Sequence, residues 1–313
     1  MVALCDRNEA RLRTVGARLI VQKLYQNYDD VFFDPEIEAV SIHTPDEQHK
    51  DPFLKALKSR KHILIEKPLA NTVEDVFAMV KAAETVTPSL KIQVGYILRF
   101  NPVFEVIKKM AHAHKLGHIY YLESDYIHNL TKLKSSADPV TGENWYLQDQ
   151  IPIVSGGSHC VDLLRWIKGM NPTHVISYGN HFAFPELSSN DCTVSIFRFK
   201  DGALAKVSVL WAPECPRPPY YNLWLFGTKG TIKQDRLFLR DKGSRGEQKF
   251  IPIKATRIEG HPYDPEIDDW LTAIIEDRDV RICLKDGANS TMAALTAAKA
   301  INSGREATIP IFE

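Results

Sequence analysis

The chain has 313 residues, 44% hydrophobic and 25% charged, enough to bury a sizeable core in about two domains. Its 39 Lys plus Arg balance 39 Asp plus Glu, so no net field draws it towards nucleic acid or an anionic membrane surface. No run of 18 apolar residues occurs, and the opening VALCDRNEARLR carries charge too early for a signal-peptide core; no membrane partner and a cytoplasmic location are expected. Cys5, Cys160, Cys192, Cys215 and Cys283 are odd in number and scattered, which suits neither a disulfide framework nor a zinc knuckle. They are expected to be reduced, buried small hydrophobes, and no metal site is expected.

In chain order, the first third alternates short β-branched runs with longer amphipathic stretches, the pattern of βαβ crossover units and a parallel sheet. Strands are predicted at 2–5, 22–25, 38–43, 62–66 and 90–95. Helices are predicted at 8–19, 28–33, 47–59 and 72–86, the last opened by Thr72 with Asp75 three residues on. From about 118 the period changes, and 118–128, 173–182, 191–200, 203–212 and 222–227 read as longer strands, some joined by short turns such as Lys200-Asp201-Gly202. The intervening stretch 129–151 is polar and aperiodic, as a long functional loop would be. Two late helices, 265–277 and 286–303, pack either on the first domain or on the second sheet. The expected division is 1–98 and 99–313.

Two constellations carry chemistry. Strand 62–66 runs into Glu66-Lys67-Pro68-Leu69, placing a lysine at the carboxyl end of a parallel strand, where open α/β sheets bind ligands. Partial desolvation there lowers a lysine pKa towards proton-transfer range; the plainer alternative is a solvated charge. Further on, Gly156-Gly157 opens a helix in which Cys160, Leu163, Leu164 and Ile167 form an apolar stripe. His159 and Asp162 then share a neighbouring face, and the helix start favours a neutral, proton-accepting imidazole at His159. The alternative is that His159 caps the helix and Asp162 satisfies backbone donors.

With VSIHTPDEQH, HILIEKPLA, VGYILRFNP, GGSHCVDLLRWIKG, FRFKDGALAKVSV and LFGTKGTIK in this order and spacing, the chain resembles the glucose-fructose oxidoreductase and inositol dehydrogenase (GFO/IDH/MocA) family along nearly its whole length. The resemblance implies a truncated Rossmann-type parallel-sheet domain followed by an α+β domain with a large, mostly antiparallel sheet. It implies NAD or NADP as cofactor and a sugar, cyclitol or related polyol as substrate. Lys67 and His159 would handle the proton of the substrate hydroxyl beside the nicotinamide. Asp6 would hold the adenosine ribose and Arg7 favour a 2′-phosphate, while Thr44, Pro45, His49 and Glu66 would line the cofactor cleft. Tyr96, Arg99, Tyr126, His128, Trp145, Ser155 and Asp162 would build the substrate pocket. A dimer or tetramer is implied through the second sheet, with Val207, Val209 and Trp211 on one strand and Leu223 and Leu225 on another as its apolar face, the alternative being an interior face covered by the chain's own helices.

The sequence departs from the family in two places. The first Rossmann strand and its G-x-G-x-x-G turn, which supply amide donors to the pyrophosphate, have no counterpart, and Met1 stands where that segment would end. In the strand order 3-2-1-4-5-6 that strand is central, so the sheet is expected to close up, to be filled by a partner chain, or to be part of a longer product. Retention and loss of cofactor binding are both open on this basis. Secondly, Ser155 stands where many members carry a carboxylate four residues before the histidine. A serine binds a hydroxyl but cannot take its proton at neutral pH. Two further readings are a glycoside-cleaving enzyme, NAD-dependent or cofactor-free, and a non-catalytic sugar-binding or regulatory scaffold.

Overall fold

The computed structural model describes residues 1–86, 90–131, 150–213, 220–239, 250–256, 258 and 260–313. The β-branched runs of the first third form short parallel strands: β1 (Ala3–Cys5) beside β2 (Lys23–Tyr25), and β3 (Ala39–Ile42), β4 (His62–Ile65) and β5 (Ile92–Val94) in a second sheet. Between them run α1 (Glu9–Leu19), α2 (Tyr28–Phe33), α3 (Lys50–Lys58) and α4 (Val73–Glu84). Thr72 caps α4 by accepting from the Asp75 N–H at 3.2 Å, while the Asp75 carboxylate is drawn off by Lys50 instead of closing the box.

The expected single parallel sheet is thus in two pieces, and β1 and β3 each have one strand neighbour among the described residues. In the usual order a central strand would lie between them.

After β5 comes a short 3-10 turn, Ile97–Phe100, and a helix the periodicity reading passed over, α5 (Pro102–His112). Its start was legible: Asn101 accepts from the Val103 N–H, and Pro102 occupies the first turn, where a missing N–H costs nothing. The second part is a ten-stranded sheet built from β6 (Ile119–Ile127), β7 (Pro172–Asn180), β8 (Cys192–Phe199), β9 (Leu204–Leu210), β10 (Tyr220–Tyr221), β11 (Trp224–Gly227), β12 (Gly230–Lys233), β13 (Arg236–Leu239), β14 (Ile251–Pro252) and β15 (Ala307–Thr308). Its order is β14-β13-β12-β11-β6-β9-β8-β7-β15, with β10 also on β6; only β6 and β9 run parallel.

The remaining helices are α6 (Pro152–Ser155), α7 (Gly157–Lys168), α8 (Tyr263–Ile275) and α9 (Leu284–Ser303). Helices α6 and α7 lie on the sheet over β9, and α7 also over β6. Val207, Val209, Trp211, Leu223 and Leu225 are therefore fully buried within the chain, which corrects the expectation that they face a second subunit. The glycine pair makes this close packing possible, since a Cβ on Gly157 would sit 2.7 Å from Val209 and one on Gly156 2.5 Å from the Tyr126 ring. The last helix answers the alternative left by the sequence: α9 packs on β7 of the large sheet and on α4 and β5 of the first unit at once. Its alanine-rich faces, among them Ala288, Ala293, Ala294 and Ala297, allow that approach from several sides. Of the cysteines, Cys160 is buried as expected, whereas Cys5 and Cys283 are exposed; Cys215 lies outside the described residues.

Candidate active site

Strands β3, β4 and β5 pair in parallel with Ile42 opposite Ile65 and Ile65 opposite Val94, so their carboxyl-end loops lie side by side. Those loops are Thr44-Pro45, Glu66-Lys67-Pro68, with a cis Lys67–Pro68 peptide, and Gly95-Tyr96. His49 fastens the first two: Nε2 faces the Thr44 carbonyl at 3.0 Å, and Nδ1 faces the Pro68 carbonyl at 2.9 Å. This buried histidine, kept neutral by burial, donates its single N–H to one of these two backbone carbonyls and so ties the loops expected to line the cofactor cleft.

Lys67 reaches out of the β4 loop and donates from Nζ to the Ser155 carbonyl oxygen at 3.0 Å, joining the first unit to the α6–α7 corner. Burial lowers its pKa, opposed by the negative charges of Glu66 and Asp46. Glu66 stays charged although burial works against it, because His43, 3.6 Å away, and Lys67 both favour the carboxylate.

Four residues beyond Ser155, His159 is 3% exposed and boxed in by rings: Tyr96 at 6.1 Å, Tyr221 at 6.0 Å and His261 at 6.2 Å between centroids. The Tyr96 hydroxyl is tied to Thr291 at 2.9 Å, which holds its ring edge against the imidazole. The His159 Nδ1 is buried without a hydrogen-bond partner. Burial first, then the charges of Lys67 and His261, hold its pKa well below the ordinary value, so the imidazole is neutral at neutral pH. Tyr126 lies under Gly156 and meets the His128 Nδ1 with its hydroxyl at 3.3 Å, bringing both into the same wall.

Lys67, His159, Tyr96, Tyr126, His128 and Ser155 therefore belong to one neighbourhood, Ser155 through its carbonyl. Arg99 and Asp162 do not offer their charges to it. The Arg99 guanidinium forks onto Asp162 at 2.8 and 2.5 Å and pairs with Asp286, while Ser290 donates to Asp162 at 2.6 Å. Both side chains are within 2% of full burial, and the pair is a clamp holding α7 to the 3-10 turn and α9. Asp6 ends β1, as expected, with its carboxylate accepting from the Asn8 N–H at 2.8 Å and from Arg11 at 3.4 Å; Arg7 is exposed. Trp145 lies outside the described residues. Tyr221, His261, Thr291 and His43 had no signal at sequence level, because nothing in their local spacing sets them apart.

Beside the cleft, Glu266 in the first turn of α8 is 3% exposed with its Oε1 unpartnered, and burial, then Glu66 and Asp269, push its pKa up to about 8. The folded form keeps this proton where the unfolded chain loses it, so the stabilisation is complete at pH below about 4.5 and is lost as pH rises through about 8. At about 1.4 kcal/mol per pH unit, levelling off near pH 8, roughly 3.5 kcal/mol should disappear between pH 5 and 8. Denaturant midpoints measured across this window should fall for the wild type and stay much flatter for Glu266→Gln; parallel curves would refute the assignment.

The carboxyl-end loops of a parallel sheet thus meet a helix-covered, mostly antiparallel sheet, with a lysine and a neutral histidine at the junction, the place where open α/β sheets of the dinucleotide-binding class hold their ligands. Residues 1–96 match the oxidoreductase family described as an NAD-binding Rossmann fold, and residues 104–233 match the GFO/IDH/MocA C-terminal domain. The chain belongs to the GFO/IDH/MocA oxidoreductase family. It is 27% identical over 308 residues to scyllo-inositol 2-dehydrogenase (NAD(+)) of Bacillus subtilis, covering 93% of this chain and 85% of that protein. With myo-inositol 2-dehydrogenase of Thermotoga maritima it shares 26% identity over 266 residues, 79% of this chain and 73% of that protein. Among solved structures, levoglucosan dehydrogenase in complex with NADH and L-sorbose superposes with a TM-score of 0.85 at 20% identity, covering 99% of this chain and 90% of that one.

Proposed function

We propose that this chain is a dehydrogenase of a sugar, cyclitol or related polyol, linked to NAD or NADP, in which Lys67 and His159 act as acid and base. The observation that carries the reading is the Lys67 Nζ bonded to the Ser155 carbonyl, four residues before a buried, neutral histidine whose Nδ1 has no hydrogen-bond partner among the described residues. One proton of the lysine head is held by that carbonyl; the others are available to a substrate oxygen. The imidazole takes the hydroxyl proton during oxidation and returns it during reduction. Ser155 supplies no carboxylate, so the pair works without the third acidic group found in many relatives.

When bound, a nicotinamide cofactor would supply the hydride acceptor. The residues present fit its two ends. The Thr44 Oγ1, buried without a partner in the β3 loop, and Glu66 suit the nicotinamide-ribose side, and Asp6 suits the adenosine ribose. No glycine-rich phosphate turn occurs among the described residues, so affinity is the property under test. On the outward side of the large sheet, Tyr121, Trp224 and Phe226 lie ring to ring, which supports association of two copies through that face.

Calorimetric titration of the purified chain with NAD and NADP should give binding in the micromolar range, followed by hydride transfer with myo-inositol or a related polyol. Absence of binding up to millimolar cofactor would overturn the reading.

A further inference from the structure

His159 has to release whatever proton it takes, yet it is 3% exposed and its Nδ1 has no hydrogen-bond partner among the described residues. The imidazole of His261, in the segment leading into α8, lies 6.2 Å away between centroids and is only partly buried. Its Nε2 is 3.3 Å from the Tyr221 hydroxyl, and its ring stacks on Tyr263 at 5.5 Å and 15°. Tyr221 in turn packs edge-on against His159. Tyr263 is about half exposed, so this stack reaches from the buried pocket to solvent.

We propose that His159 and His261 hold one proton between them, His159 taking it inside the pocket and His261 passing it to water. The inference rests on the dehydrogenase reading above. In the oxidation direction the substrate C–H hydride goes to the nicotinamide and the O–H bond breaks. Its proton converts the His159 imidazole to imidazolium. His261 then takes up that proton through one water and delivers it to solvent, leaving both rings neutral. The groups facing His261 are Lys67 and Glu66 from the β4 loop, His159 from α7, Tyr221 from β10 and Tyr263 from α8. Burial and the Lys67 charge disfavour its cationic form, with Glu66 opposing, and two cations beside the lysine ammonium would repel; the pair therefore carries a single proton.

The test has two arms on the full chain. Histidine-labelled protein is titrated by NMR, with resonances assigned through His159→Gln and His261→Gln. Each substitution should raise the midpoint of the remaining histidine by about half a pH unit or more. Unmoved midpoints in both variants overturn the pair. In the second arm, using myo-inositol or another polyol that the wild type oxidises, His261→Gln should slow steady-state turnover about 10-fold and more than it slows the first turnover, with added imidazole restoring the rate. Equal loss in both phases with no rescue overturns proton exit through His261. Failure of the wild type to oxidise any polyol would count against the dehydrogenase reading, while the titration arm still decides the pair.

Discussion

Replacing Asp162 by alanine should lower the stability of the folded chain by about 3–5 kcal/mol, a drop in melting temperature of roughly 10 °C. Asp162 has no exposed surface, and its two oxygens accept two bonds from Arg99 and one from the Ser290 hydroxyl. Arg165 stands 3.7 Å from the same carboxylate and bonds to Ser290 and Asp286. Two arginines and two aspartates thus neutralise one another where the 3-10 turn, α7 and α9 meet. Removing one carboxylate strands a guanidinium in a place where it cannot recover water, and that penalty, more than the lost attraction, sets the size of the effect. Removing both partners of the central pair should cost far less: Arg99→Met combined with Asp162→Leu is expected to regain most of the loss. A denaturant midpoint for Asp162→Ala within about 0.5 kcal/mol of wild type would show that the pair is not desolvated.

The second large effect concerns turnover. Lys67→Met and His159→Gln should each reduce kcat/KM on an identified polyol by about 10²–10⁴-fold while the chain stays folded. Their pH signatures should differ. His159 works as a base only when neutral, and because burial and the charges of Lys67 and His261 depress its pKa, the acid limb of the oxidation profile should fall below pH 6.5, its ordinary value. Lys67 donates only when protonated, and its lowered pKa places the alkaline limb below 10.5. His159→Gln should abolish the first limb and Lys67→Met the second. A profile of unchanged shape in both variants would remove these residues from the chemistry.

Much of this was legible because the information is local. Lys67 comes two residues after the last of three apolar residues in β4, and strand pairing alone puts it at a carboxyl end. The stripe of Cys160, Leu163, Leu164 and Ile167 buries one side of α7, as helical periodicity requires. That same stripe placed His159 beside the core, and the core surroundings keep its imidazole neutral. Asp162 was harder. Spacing put it near His159, but its true partner, Arg99, lies 63 residues away in sequence. An ionic pair inside a protein looks, in sequence, the same as two residues waiting for a ligand.

By itself the sequence determined most of the order of elements, the change from a parallel to a mainly antiparallel sheet, and the places of Lys67 just past a strand and His159 at a helix start; periodicity, capping and steric preference act over a few residues and need no partner. Only the tertiary structure decided the rest. It split the first sheet between β1 and β3, turned Val207, Val209 and Trp211 inward beneath α6 and α7, and tied Tyr96 to Thr291 across 195 residues. It also brought His261 beside His159. These outcomes depend on which faces meet when the chain closes, and on the cost of leaving a charge or a polar atom unpaired once water is excluded.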